Sequence, residues 1–242
     1  MKVLISILSC HSLRYCEQSL RDTWIPEIPS GIDYKFFLGR REGIDDSSLI
    51  LLDNDEVKLD VDDSFEGITK KTVATQRWAL ENGYDYMYKC DLDTLVRPTL
   101  LINSGFQNFE YSGGRNGFFA SGGSGYWLSK RSMEVTSSKP VVYGPEEDLH
   151  TAYALQEKGV QLHDDPRYKY YPGDVMDDST ISYHLSSIRS FGKIKYDPQW
   201  MYQTWEDQKK RDHKSYSTEP TQKAPVANAN RALRFRRLRN GR

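Results

Sequence analysis

Two aspartates one residue apart, Asp91 and Asp93, follow an aromatic-rich run at residues 84–90. Carboxylates at this spacing, at the end of a strand, can meet one hard divalent cation, Mg²⁺ or Mn²⁺. That cation would neutralise the phosphate oxygens of a diphosphate, which bare carboxylates repel. A solvated turn that merely ends a strand has the same composition, so the surrounding elements must decide.

Residues 3–8 are apolar apart from Ser6 and read as a buried parallel strand, residues 13–23 read as a helix stopped by Pro26 and Pro29, and residues 34–38 read as a second strand. Short pieces are expected at 49–52 and 57–59. The periodicity of residues 67–81 predicts a helix closed by Asn82-Gly83. The strand at 84–90 then delivers the acidic pair to the C-terminal edge of the sheet, where open α/β sheets bind ligands. Further on, Pro98 suits the start of a short helix, residues 126–128 a strand, and Pro145-Glu146-Glu147-Asp148 the first turn of a helix running to Gln156. Residues 160–163 return to the sheet, and residues 200–205 read as a helical appendage or lid.

The whole chain has 242 residues with 33 Lys or Arg against 34 Asp or Glu, a formal charge of -1. This length predicts one catalytic domain, and the balance gives no global field for a nucleic-acid partner. The charge is uneven: residues 206–242 hold eleven Lys or Arg and four Asp or Glu. We expect a catalytic domain over residues 1–204 and a basic C-terminal extension over 205–242, either a solvated, partly disordered tail or a helix on acidic lipid or a second domain, since Leu233, Phe235 and Leu238 interrupt the charges. Cys10, Cys16 and Cys90 make neither a dense disulfide framework nor a paired metal-ligand spacing, and the first apolar run is too short to span a membrane. A reducing, cytoplasmic setting is expected.

Several segments together resemble the inverting β-1,3-glycosyltransferases of the galactosyltransferase and Fringe type. Leu20-Arg21-Asp22-Thr23-Trp24 resembles that family's early block, and Phe36-Phe37-Leu38-Gly39 the strand after it. Residues 62–72 resemble its lysine-threonine stretch, Lys89-Cys90-Asp91-Leu92-Asp93 its metal motif, residues 123–129 its glycine-tyrosine block, and Glu147-Asp148-Leu149 its catalytic acidic block. Leu92 replaces the usual middle aspartate, Gly67 stands where asparagine is typical, and the family's cysteine framework and N-terminal anchor are missing, as a microbial or viral relative would show.

The resemblance implies an α/β fold of the GT-A nucleotide-sugar transferase type, with a mixed, mostly parallel central sheet flanked by helices. It implies metal-dependent, inverting transfer of a hexose or N-acetylhexosamine from a UDP-sugar to a glycan hydroxyl, in a β-1,3 linkage, with Mn²⁺ or Mg²⁺ as cofactor. Asp93 is then the principal metal ligand, and Asp91 contacts the ribose or a metal-bound water. His184 completes the metal site, with His163 as its competitor. Asp148 is the catalytic base, or else a plain first-turn residue with Glu147. Arg21 and Lys71 contact the diphosphate or form structural ion pairs, and Lys89 does the same or orients Asp91. Gly122, Gly123 and Gly125 admit the donor sugar or make a tight turn. Tyr126 and Trp127 face a sugar or pack in the core. A non-catalytic nucleotide- or carbohydrate-binding module and a retaining transferase are the alternative outcomes.

Overall fold

Alternation along single strands divides the interior into two cores. In the computed structural model, which describes residues 1–40, 53–142, 144–190 and 196–217, the first strand β1 (Val3–Leu8) is buried along its whole length. Its odd residues Val3, Ile5 and Ile7 join one hydrophobic cluster, and Leu4 and Leu8 join the other. Successive side chains of a strand point to opposite faces, so a strand covered on both faces is apolar at nearly every position, with Ser6 the one polar residue of β1 and also buried.

After β1, a 3-10 turn (Arg14–Cys16) leads into the short helix α1 (Glu17–Arg21). The chain continues through β2 (Ile32–Arg40), β3 (Glu56–Asp62), α2 (Ile68–Glu81), β4 (Tyr86–Asp91), β5 (Thr94–Val96) and α3 (Pro98–Ile102). Then come β6 (Tyr111–Gly113), the hairpin β7 (Arg115–Asn116) and β8 (Phe119–Ala120), β9 (Tyr126–Ser129) and α4 (Lys130–Ser138). The remainder is α5 (Glu147–Gln156), β10 (His163–Asp164), β11 (Tyr168–Lys169), β12 (Ser182–His184), α6 (Leu185–Ser190) and α7 (Gln199–Ser217).

The central sheet has seven strands in the order β3-β2-β1-β4-β9-β6-β10. β1 to β4 run parallel, and β9 enters antiparallel to both β4 and β6. Helices flank this mixed, mostly parallel sheet: α2 packs with α4 and α5 over one face, while α1 and α7 meet over the other. A three-stranded sheet, β11-β12-β5, sits beside it and carries the segment after the acidic pair.

The sequence expectation of an α/β fold with this sheet holds. Residues 13–23, expected as one helix, instead form the 3-10 turn and a five-residue α1, and the return at 160–163 shrinks to β10. The boundary expected at residue 204 falls inside α7. Trp205 packs against the first core, and Asp212 pairs with Arg97 at 3.1 Å, so the fold continues past that boundary. The expected piece at 49–52 and the Arg-rich end at 231–242 lie outside the described residues. Among the described residues no helix is long and apolar enough to cross a membrane, and Cys10, Cys16 and Cys90 are not joined in a disulfide.

Candidate active site

Strand β4 ends at Asp91, and the two-residue turn to β5 sends three side chains in different directions. Leu92 is 5% exposed and fills the first core, which gives a packing reason for an apolar residue between two carboxylates. Asp91 and Asp93 both line a cleft at the C-terminal ends of β1, β3 and β4. The turn is held by Thr94, whose hydroxyl accepts from the Asp91 N–H at 3.1 Å and donates to the Gly123 carbonyl at 2.6 Å.

Asp93 meets His184. β12 runs antiparallel to β5 with His184 opposite Thr94, which brings the imidazole Nε2 to 3.0 Å from Asp93 Oδ2. Burial opposes the charge on Asp93, but the imidazole's charge and hydrogen bond outweigh it and hold this carboxyl below its ordinary pKa. Burial likewise opposes charge on His184, and Asp93 reverses the effect and raises its pKa. The Gly123 backbone lies against the ring so closely that a Cβ at that position would overlap it.

Beneath Asp91 lies a buried charged cluster. Lys89 is 1% exposed, and its ammonium stands 2.8 Å from Asp91 Oδ1 and 2.6 Å from Glu147 Oε1. It also donates to the Gly122 carbonyl at 3.1 Å. Tyr126 donates its hydroxyl to the other Glu147 oxygen at 2.5 Å. Burial raises the Glu147 pKa, against the opposing pull of Lys89, while the two carboxylates drive the Lys89 pKa upward despite its own burial. Asp148, the next residue in the first turn of α5, is half-buried and outside this cluster. It accepts from the Leu149 N–H at 2.9 Å and from the Gly122 N–H at 3.4 Å. Two consecutive glycines thus touch the two halves of the site: Gly122 holds Asp148, and Gly123 supports His184.

The cleft itself has a volume of about 340 Å³. Its floor includes the Ser9–Cys10 segment after β1, with Asp63, Lys71, Asp91 and Asp93, and its rim includes Leu13, Phe65 and Tyr196. Lys71 donates to Asp63 and to the Ser9 carbonyl, each at 2.7 Å, and Asp63 also accepts from the His11 and Gly39 N–H groups at 2.7 and 2.6 Å. A cation is therefore present in the lining of the cleft, already tied to a carboxylate.

Several expected roles change. Arg21 does not line the cleft; its guanidinium is held by Asp55 and Glu17, each at 2.9 Å, which is the ion-pair alternative. Lys89 is too deeply buried to meet a diphosphate and instead orients Asp91. Gly125 takes φ +83° where a Cβ would collide with Tyr88, so it serves a tight turn within the protein and not approach to a donor sugar. Gly123 is likewise required by His184. Tyr126 and Trp127 are buried: Trp127 stacks on Phe106 at 3.8 Å and donates to the Tyr168 hydroxyl at 3.1 Å. His163 stacks on Phe109 at the sheet's far edge, away from the acidic pair.

The sequence reading missed Asp63, Phe65 and Tyr196. The doublet Asp62-Asp63 just before α2 was a usable signal, whereas Tyr196 reaches the cleft only through tertiary packing.

Among the described residues, no three His, Cys, Asp or Glu side chains form a ready-made metal cluster. Asp93 and His184 are nevertheless already in contact. Asp91 Oδ1 is buried without an aligned hydrogen bond, although the Lys89 ammonium lies beside it. Two carboxylates and an imidazole are a donor set suited to Mn²⁺ or Mg²⁺. The residues therefore fit such an ion, with Asp93 and His184 better placed than Asp91.

The cleft lies at the C-terminal strand ends of an α/β sheet, where sheets of this kind bind ligands. Residues 17–121, less than half of the chain, match the galactosyltransferase family model, which bears out the resemblance over that stretch. The match includes Lys71, Asp91 and Asp93 and stops before Asp148 and His184. No curated protein matches the chain. Similar solved structures include the apo-form glycosyltransferase GlyE of Streptococcus pneumoniae TIGR4, at 11% identity and TM-score 0.44, covering 86% of this chain and 64% of that one. Another is CMP:2-keto-3-deoxy-manno-octonic acid synthetase complexed with CTP, at 10% identity and TM-score 0.42, covering 68% of this chain and 89% of that one. The chain therefore spans less than two thirds of the GlyE chain.

Proposed function

We propose that this chain transfers a hexose or N-acetylhexosamine from a UDP-sugar to a glycan hydroxyl with inversion, in a β-1,3 linkage, in a metal-dependent reaction. The observation that carries this reading is that adjacent glycines reach both groups: Gly123 lies against the His184 ring, which meets Asp93, and Gly122 donates to Asp148. Inverting transfer needs both a leaving-group site and a base, because the diphosphate leaves from one face of the sugar while the acceptor attacks the opposite face.

Asp93 and His184, with Asp91 beside them, would hold the Mn²⁺ or Mg²⁺. The bound ion would offset negative charge on the departing diphosphate. Lys71 adds a fixed positive charge at the cleft floor. Asp148 takes the proton of the acceptor hydroxyl as its oxygen forms a bond to the anomeric carbon, and the bond from that carbon to the diphosphate oxygen breaks with its electron pair leaving on the nucleotide. Glu147 does not share this role, because both of its oxygens are already engaged by Lys89 and Tyr126.

The test is incubation with a panel of UDP-sugars, then other nucleotide sugars, in Mn²⁺, followed by mass spectrometry. Donor hydrolysis or transfer that disappears on chelation and in Asp93→Ala supports the proposal. Mn²⁺-dependent UDP binding with no turnover across donors and acceptors would replace it with a binding module, and a retained anomeric configuration in the product would replace inversion with retention.

A further inference from the structure

The aromatic residues expected to meet a sugar, Tyr126 and Trp127, are interior, yet a different aromatic pair stands on the surface between the β7–β8 hairpin and the helix that carries the proposed base. Phe118 is 42% exposed and Tyr153 is 38% exposed, with ring centroids 4.9 Å apart and planes inclined at 52°. Neither ring belongs to the two buried clusters. Large aromatic side chains held together in water, next to polar groups, mark a ligand surface more readily than a folding requirement.

Their position ties them to the site. Phe118 lies in the β7–β8 hairpin, whose turn is made by Gly117 at φ +65°, and the edge-to-face contact with Phe119, at 5.4 Å and 81°, braces its ring. Four residues later the same backbone reaches Gly122, which holds Asp148, and then Gly123, which supports His184. Tyr153 rides on α5, five residues after Asp148 and so about 7.5 Å along the helix axis. The segment from Phe118 to Gly122 therefore runs beside α5, with Phe118 against Tyr153 at one end and Gly122 against Asp148 at the other.

We propose that Phe118 and Tyr153 form the acceptor platform, on which an inner pyranose ring of a glycan lies with its C–H face against the rings while the terminal sugar presents its hydroxyl to Asp148. This rests on the glycosyl-transfer reading above. Rings placed a helical turn or more from the base lie beyond the first sugar. The acceptor is accordingly a neutral saccharide of at least two rings, and a monosaccharide reaches Asp148 without touching the platform.

The experiment is a calorimetric and saturation-transfer NMR titration of the full chain with N-acetyllactosamine, chitobiose and cellobiose, and with methyl β-galactoside and methyl β-N-acetylglucosaminide, in the presence of UDP and Mn²⁺. At least one disaccharide binds the parent chain about fivefold or more tighter than the matching monosaccharide. Phe118→Ala and Tyr153→Ala each weaken that disaccharide about tenfold and leave the affinity for UDP with Mn²⁺ unchanged, which also reports that the variants are folded. Phe118→Trp, which keeps a ring in place, retains the disaccharide. The proposal is overturned if no disaccharide binds, if the alanine variants bind it as well as the parent chain, or if the tryptophan variant loses as much as alanine. UDP-sugar turnover by the parent chain is followed in the same samples. Its absence with every donor removes the glycosyl-transfer reading, whereas turnover together with undiminished disaccharide binding in the alanine variants removes the platform alone.

Discussion

The imidazole of His184 stands 3.0 Å from the Asp93 carboxylate, although the two residues are 91 positions apart in the chain. Antiparallel pairing of β5 with β12 makes the contact, and the bare backbone of Gly123 leaves room for the ring. A side chain at residue 123 would push the imidazole off Asp93. Gly123→Ala should therefore weaken Mn²⁺ binding by about 10- to 100-fold, the scale on which a ligand's supporting contacts act. Titration of the folded variant by electron paramagnetic resonance checks this, and undiminished affinity would take His184 out of the metal site.

Asp148 and Glu147 are neighbours with different tasks, and their amide variants should separate. Asp148→Asn is expected to lower transfer by about 10²- to 10⁴-fold while the affinity for UDP and metal stays near that of the parent chain. If both affinities fall together, Asp148 is not the base.

Lys89, itself closed to water, compensates the buried Glu147 and the partly exposed Asp91. Removing it in Lys89→Met leaves Asp91 and Glu147 without their counter-charge, which should cost about 3–5 kcal/mol of stability. The double variant Lys89→Met/Glu147→Gln should recover part of that loss, because one orphaned charge is gone. Urea unfolding of the four proteins in the cycle measures the coupling. Strict additivity would mean that the ammonium and the carboxylate do not act as a pair.

Stability should also depend on the buried carboxyl of Glu17. It accepts from the Ser9 hydroxyl at 2.5 Å, and burial, reinforced by Glu56, pushes its pKa up from 4.5 to about 7 against the pull of Ser9 and Arg21. A raised pKa means that the folded chain holds this proton more tightly than the unfolded chain. The contribution is full below about pH 4.5, declines as pH rises, and is gone above about 7, with an upper bound of about 3 kcal/mol. Glu56, whose pKa is lowered because Arg14 overcomes the effect of its burial, works in the opposite sense and in a lower window, its contribution being present above about pH 4.5 and lost as pH falls below it. Thermal unfolding of Glu17→Gln should vary less with pH between 4.5 and 7 than that of the parent chain, and an equal slope in the two proteins would contradict this account.

The continuous apolar run of β1, the helical period of α2 and the strand before Asp91 were legible because each depends on neighbours in sequence: a period of two or of 3.6, or a glycine after the last turn. The acidic pair was legible for the same reason, since one strand end sets its spacing. Local pattern could not separate the short α1 from a longer helix, or assign β10 its length, because their extent depends on packing against the sheet.

Residue type and spacing marked Asp91 and Asp93 and the α/β order of elements that carries them, and the family resemblance marked Lys71, Asp148 and His184. Only the tertiary structure decided that Lys89 and Glu147 are spent on each other, that Arg21 belongs to Asp55, and that the exposed aromatic pair is Phe118 with Tyr153 while Trp127 is core. The physical reason is that a charge or a ring has the same identity whether buried or solvated. Its use depends on which partners lie within a few ångströms, and those partners come from strands and helices far away in the chain.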